Sequence, residues 1–231
     1  MKGTTTVLFD VGNTIHHLDH ARVAAVISQH AHAVTAAEVA AAEYHGKAAI
    51  DAAFRARRFG TDATRQRPYF DAIMEALQID AAAWPAISES FRSENERASI
   101  WSVMHDDTPD VLAALRARGY TLGVVSNADG RVAAALAACG LARHFSAVID
   151  SHVVGVEKPD ARIFRLALEA CGAQPEQTVF IGDIYEIDVQ GARNAGITPL
   201  LIDPLGLYGE VDCPRIDRLA RLLEILPERV G

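Results

Sequence analysis

Val7-Leu-Phe-Asp-Val-Gly-Asn-Thr-Ile15 joins a short apolar run to a carboxylate and then, without a break, to a tight polar turn. The β-branched and aromatic residues up to that acid read as a buried central strand over residues 5–10. Its end presents Asp10 at the open edge of an α/β sheet, where a carboxylate serves as nucleophile or metal ligand. Alone the segment does not fix a function, because strand tips in many α/β domains carry an acid. Three later segments add weight: Val124-Val-Ser-Asn127, Glu157-Lys-Pro-Asp160 and Val179-Phe-Ile-Gly-Asp183, with Asp188 beyond the last.

Past Asp10 the pattern changes. Residues 18–98 are rich in Ala and space their apolar side chains for helices, as at Val23, Ile27 and Val34 or at Ile73 and Leu77 with Trp84 nearby, and no strand pattern interrupts them. Thr61 reads as a helix cap, and several helices in a small bundle fit this stretch better than more sheet. A βα alternation sets in near residue 106. Thr108-Pro109 reads as an N-cap followed by proline at the first helical position, with the helix stopping near Gly119. The spacing then predicts strand 120–125, helix 129–139, strand 147–149, helix 161–170, strand 178–181, helix 187–194, strand 198–202 and a last helix over 216–226 packed on the core. Such alternation makes a parallel sheet covered by helices.

Composition narrows the function classes. With 22 basic and 30 acidic residues the net charge is −8, which gives no support to broad nucleic-acid binding. An apolar half and 23% charged residues exclude a disordered or low-complexity chain. Cys139, Cys171 and Cys213 are too few and too widely spaced for a disulfide framework or a four-ligand zinc site, so free thiols in a reducing cytoplasm are expected. The first residues lead directly into the buried strand with no basic region, separable apolar stretch and cleavage site, so neither secretion nor membrane insertion is expected.

Taken together, the four segments resemble the haloacid dehalogenase superfamily, most of whose members are magnesium-dependent phosphohydrolases. The resemblance covers nearly the whole chain. It implies an α/β fold in which a Rossmann-like parallel-sheet core carries a small α-helical cap inserted after the first strand, with residues 1–17 and 99–231 as core and 18–98 as cap. The implied activity is Mg2+-dependent hydrolysis of a small phosphorylated metabolite, by a monomer or a homodimer.

The resemblance also assigns roles residue by residue. Asp10 is the nucleophile that attacks phosphorus and becomes a transient aspartyl phosphate. Asp183 binds Mg2+, the backbone carbonyl of Gly12 supplies another ligand, and the hard ion suits such oxygen donors. Asp188 reads equally as a further direct or water-mediated metal contact and as an acid favoured by an early helix turn. Ser126 matches the phosphate-binding hydroxyl, with Asn127 beside it at a strand-to-helix junction that favours an anion. Lys158 matches the lysine that neutralises the nucleophile and stabilises the transferring oxygens, while Pro159 fixes the helix start and Asp160 caps backbone donors. Thr14 reads equally as a phosphate contact and as a structural hydroxyl, and Asn13 is open in the same way.

Gly12 departs from the common pattern. Most family phosphatases carry an aspartate there, which protonates the leaving oxygen and then activates water; glycine does neither. A good leaving group needs less acid assistance, and water can be activated by another side chain or within the metal shell. His16 and His17 have suitable chemistry and read first as linker or turn residues. In the cap, Arg55, Arg57, Arg58, Arg65 and Arg67 read as a solvated basic face before they read as an anion site, and Tyr44, Phe54, Phe59, Tyr69 and Phe70 either line a pocket or seal the bundle. Among competing activities, a 2-haloacid dehalogenase shares the fold and uses an aspartate nucleophile without the second acid, but Asp183 speaks against it. A phosphomutase needs the acid and base absent at Gly12, and phosphonate hydrolysis would rest on Lys47 alone. A non-catalytic phospho-ligand sensor is kept open by Gly12.

Overall fold

The computed structural model describes residues 1, 3–58 and 60–228. Strand β1 (Thr6–Phe9) leads into a turn and then β2 (His17–Leu18), helices α1 (His20–His30), α2 (Ala36–Arg55), α3 (Asp62–Ala76) and α4 (Trp84–Arg97), and β3 (Trp101–Val103). The remaining elements are α5 (Thr108–Ala117), β4 (Thr121–Ser126), α6 (Val132–Ala138), β5 (Ala147–Asp150), α7 (Ser151–Val154), α8 (Ala161–Cys171), β6 (Thr178–Gly182), α9 (Gln190–Asn194), β7 (Thr198–Ile202), β8 (Arg215–Ile216) and α10 (Leu222–Ile225). The chain divides into two compact units, Met1–Ile15 with Met104–Gly231, and His16–Val103.

The first unit is built on a parallel sheet ordered β5-β4-β1-β6-β7-β8. Its central strands are apolar on both faces, as a helix-covered parallel sheet demands. Val7 and Phe9 of β1, Leu122 and Val124 of β4, and Val179 and Ile181 of β6 enter one core. The alternate residues Leu8, Val125 and Phe180 enter the other, against Ile163, Phe164 and Ala167 of α8. Asp160 caps α8 by accepting the Arg162 amide at 2.9 Å, and Gly172 ends it at φ +61°. The chain runs from β1 outward through β4 and β5, then crosses to β6 on the other side of β1. That reversal opens a crevice at the carboxyl ends of β1, β4 and β6.

The second unit is helical. Val23, Ile27, Val39, Met74 and Ile87 form its core with Leu18 and Ile100, and Phe70, Trp84, Phe91 and Trp101 pack on it. Thr35 and Glu38 close a reciprocal capping box at the start of α2, and Thr61 is the N-cap of α3. Helices α2 and α3 approach so closely at Gly46 that a Cβ there would lie 2.7 Å from the Tyr69 ring. Buried Glu43 accepts the Tyr69 hydroxyl at 2.5 Å and pairs with His20 Nε2 at 2.6 Å. Burial by itself would raise the Glu43 pKa; the bond to His20, the Lys47 charge and the Tyr69 hydroxyl outweigh it and hold the carboxyl below its ordinary value.

Three expectations change. The 18–98 stretch was expected to lie between sheet elements with no strand, whereas Leu18 pairs with Trp101 in a two-stranded antiparallel ribbon, too short to produce an alternation signal. The expected helix over 216–226 is instead β8, which pairs with β7, followed by a 3-10 turn at Leu219–Arg221 and one turn of α10. Thr108 is already the first residue of α5, after Asp107, and its buried hydroxyl makes no hydrogen bond, so it does not cap. Among the described residues, no helix is long and apolar enough to cross a membrane.

Candidate active site

Parallel register brings the four sequence segments to one edge. Phe9 lies beside Val124 of β4 and Ile181 of β6, so Asp10, Ser126 and Asp183 leave neighbouring strands at the same end. The Asp10 amide still bonds to the Ile181 carbonyl at 2.8 Å, which extends the ladder to Asp10 itself. The turn then tightens through Thr14 and Ile15 amides on the Val11 carbonyl, with Asn13 at φ +50°. Asn13 and Thr14 are buried in this turn, and the Thr14 hydroxyl makes no hydrogen bond. Gly12 is half-buried beside them.

Lys158 stands at the middle of the cluster. It is 2% exposed, and its ammonium donates to Asp10 Oδ1 at 2.6 Å and Asp188 Oδ1 at 2.7 Å. Asn127 grips the lysine's backbone from both sides: Oδ1 accepts the Lys158 amide at 2.7 Å, and Nδ2 donates to its carbonyl at 3.0 Å. The Asn127 side chain is therefore committed to the Lys158 backbone. Asp150, which sequence reasoning passed over, organises the turn after Ser126 by accepting the amides of Gly130 and Val132. The Ser151 hydroxyl accepts the Ala128 amide there at 3.0 Å. The only hint in the sequence was an acid followed by a serine at the end of a strand.

Asp188 holds the other side. Its Oδ2 accepts the amides of Asp183 and Ile184 at 3.0 and 2.9 Å, while Oδ1 takes Lys158. Between these two aspartates the chain makes one turn of π-helix, Tyr185–Val189, a form found mostly as single turns at functional sites. Gly182 is required for the approach: a Cβ there would sit 2.4 Å from Asp188 Cγ, and that side chain is tied down at both oxygens. Gly182→Ala is expected to cost about 1–3 kcal/mol of stability, as overpacking does, and to lower turnover at least ~10-fold by displacing Asp188. Thermal unfolding and a turnover assay check both parts; a wild-type rate would show that the turn tolerates the methyl.

Asp10, Asp183 and Asp188 are all buried and offer carboxylate oxygens within 4.8 Å of one another, the one such metal-competent group among the described residues. Three carboxylates face one ammonium. Burial pushes the Asp10 pKa up to about 7 against the pull of Lys158, with the charges of Asp188 and Asp183 adding to the rise. Burial opposes the Lys158 charge, but Asp10 and Asp188 outweigh it and hold that ammonium above its usual range. Excess negative charge and hard oxygen donors are what Mg2+ fits.

Other candidates lie elsewhere. His17 pairs in β2, and His16 is buried, which lowers its pKa. Arg55, Arg57, Arg58 and Arg67 are exposed, whereas Arg65 is buried, donates to the Gly60 carbonyl at 2.8 Å and stacks 5.3 Å from the Phe54 ring centre. The five arginines thus do not form one anion site. Tyr69 and Phe70 pack edge to face, and Phe70 also meets Phe91 and Trp101; Tyr44 lies under the Lys47 ammonium. Phe59 lies outside the described residues. The three cysteines are free thiols.

Comparison with known proteins places these features in a family. The profile of the haloacid dehalogenase-like hydrolases matches residues 4–196. Human haloacid dehalogenase-like hydrolase domain-containing protein 3 is 32% identical over 71% of this chain and 68% of its own length. The phosphoserine phosphatase of Thermus thermophilus is 36% identical over 60% of this chain, which spans 54% of that enzyme. The crystal structure of 2-haloacid dehalogenase from Pseudomonas syringae shares the fold at a TM-score of 0.56 and 22% identity, covering 96% of this chain and 98% of that one. With the profile spanning core, inserted helices and all four strand-end segments, this chain belongs to the haloacid dehalogenase-like hydrolases, a family of enzymes.

Proposed function

We propose that the protein is a Mg2+-dependent phosphohydrolase that cleaves a small phosphomonoester through an aspartyl phosphate on Asp10. The observation that carries this reading is the buried carboxylate trio at the switch point of the sheet, with the Lys158 ammonium between Asp10 and Asp188. Residues 1–17 and 99–231 are the catalytic core in this account, and 18–98 the cap. An Asp10 oxygen attacks phosphorus in line and the ester oxygen departs. The Ser126 hydroxyl and the N–H groups of the turn after β4 bind phosphoryl oxygens, and Lys158 steadies the charge spread over them. Asp10, Asp183 and the Gly12 carbonyl would hold Mg2+, with Asp188 at its side; bound there, the ion offsets the carboxylates and polarises a phosphoryl oxygen. Thr14 orders the nucleophile's turn. Water then cleaves the acyl phosphate and regenerates the Asp10 carboxylate.

Dehalogenation is disfavoured by electrostatics, because a 2-haloacid brings its own carboxylate to a cluster with excess negative charge. Shared fold does not separate the two activities; the carboxylates do. Gly12 offers the leaving oxygen no proton, so turnover should rise steeply as the leaving alcohol becomes more acidic. The same residue favours a second reading, a sensor that binds phospho-ligands without turnover.

Purified protein assayed on a panel of phosphomonoesters should release phosphate only with Mg2+. Asp183→Asn should lower the rate at least ~100-fold and weaken Mg2+ binding, read by calorimetry. Phosphate release that survives chelation, or is unchanged in Asp183→Asn, would refute the metal assignment. Ligand binding without release would favour the sensor, and halide release from 2-haloacids the dehalogenase.

A further inference from the structure

The π-turn Tyr185–Val189, which contains Asp188 and begins two residues after Asp183, is held from its outer side by a segment the chemistry above does not use, residues 203–212 between β7 and β8. The amide of Tyr185, at the start of the turn, lies outside its internal hydrogen bonds, and it donates to the Tyr208 hydroxyl at 2.6 Å. Tyr185 is itself pinned through its own hydroxyl, which donates to Asp212 and accepts from Gln190 Nε2 at 2.9 Å and Arg193 Nη1 at 3.1 Å. Arg193 closes the ring by donating to the Asp212 carboxylate at 2.9 Å and the Asp212 carbonyl at 2.8 Å. Delivery of Tyr208 is fixed in turn by buried Asp203, which accepts the Leu207 amide at 3.2 Å and the Arg215 guanidinium at 3.0 Å.

From this geometry we infer that Tyr208 is a positioning residue for the catalytic turn: its hydroxyl, through the Tyr185 amide, sets where Asp183 and Asp188 place their carboxylates. Asp188 secures the turn from inside, through the amides of residues 183 and 184, and Tyr208 secures the next amide from outside. Three consecutive N–H groups leading into a rare helical form, those of residues 183, 184 and 185, are thereby satisfied by side chains, the last of them from 23 residues downstream. Tyr208→Phe keeps the ring and removes the hydroxyl that accepts the Tyr185 amide.

This inference rests on the proposed function for its kinetic and Mg2+-affinity parts, and the amide-exchange part is independent of it. In Tyr208→Phe, amide exchange at Tyr185, followed by NMR on the metal-free protein, is expected to accelerate at least ~10-fold. Mg2+ affinity measured by calorimetry should fall about 10-fold, as it does when outer partners of metal ligands are removed. The turnover number should fall about 10-fold while KM for the phosphomonoester stays within about twofold. Tyr185 exchange and Mg2+ affinity both at wild-type values would overturn the inference, whatever the kinetics. Amides of the central strands β1 and β6 should keep wild-type exchange rates in the variant; an equal acceleration there would mean global destabilisation and count against the inference. Failure of wild type to release phosphate while Tyr185 exchange still accelerates in the variant would count against the phosphatase chemistry and leave the positioning role standing.

Discussion

Asp10→Asn should reduce phosphate release by at least ~10^4-fold, about 5.5 kcal/mol of transition-state stabilisation, while leaving the protein folded. The carboxamide keeps the size and one oxygen of the side chain but cannot attack phosphorus. Stability is expected to hold or rise, because the substitution removes one of three buried carboxylates and Lys158 keeps its 2.7 Å bond to Asp188. The pKa of Asp10, lifted to about 7 chiefly by burial, marks that carboxylate as one the fold holds at a cost in the absence of a cation. Loss of turnover together with an undiminished melting temperature separates a chemical role from a structural one. A variant retaining more than about 1% of wild-type turnover would remove Asp10 from the chemistry.

Lys158→Met should be damaging in both respects. Methionine fills the space of the lysine stem but leaves Asp10 and Asp188, formerly at 2.6 and 2.7 Å from an ammonium, without their shared counter-charge. Removing one partner of a buried ion pair costs about 3–5 kcal/mol, and turnover should fall ~10^3-fold with the loss of charge stabilisation on the transferring phosphoryl group. The stability defect should also depend on pH. Without the ammonium, the folded-state pKa of Asp10 rises further above its unfolded value, so the folded state binds the extra proton and the deficit shrinks as pH falls from about 8 to about 5. Asp188→Asn in the same background should recover part of the loss. Denaturant unfolding at both pH values, without divalent cation, checks this; an equal deficit at each pH would mean that lost packing, rather than unpaired charge, causes it.

Much of the fold was legible because a two-sided parallel sheet writes itself into sequence as uninterrupted apolar runs. Thr198–Ile202 was read to the residue, and β4 and β6 to within one residue at each end. The strand-end acids were legible for the same reason, since an Asp directly after such a run has nowhere to go but the carboxyl edge. What escaped depends on contacts distant in sequence. The β2 and β3 ribbon spans too few residues to show an alternation. Residues 216–226 have helical spacing, yet β8 gains a sheet partner by starting extended, and tertiary pairing overrides local preference. The place of Asn127 at a strand-to-helix junction says nothing of what its side chain bonds to. Its actual side-chain partners are the backbone groups of Lys158, 31 residues away. The Tyr208 contact with the Tyr185 turn left no local mark at all, because a tyrosine in a glycine-rich loop reads as an ordinary half-exposed residue.

The central claim is a covalent phosphoryl group on Asp10, and chemical trapping reaches it most directly. Wild-type protein quenched during turnover of a phosphomonoester with Mg2+ would be reduced with borohydride, digested and read by peptide mass spectrometry. The account predicts conversion of Asp10 to homoserine, the product of reducing an acyl phosphate, at that residue alone and only when substrate and metal are both present. Sustained phosphate release with Asp10 recovered as unmodified aspartate, under conditions that trap a synthetic acyl phosphate, would contradict it.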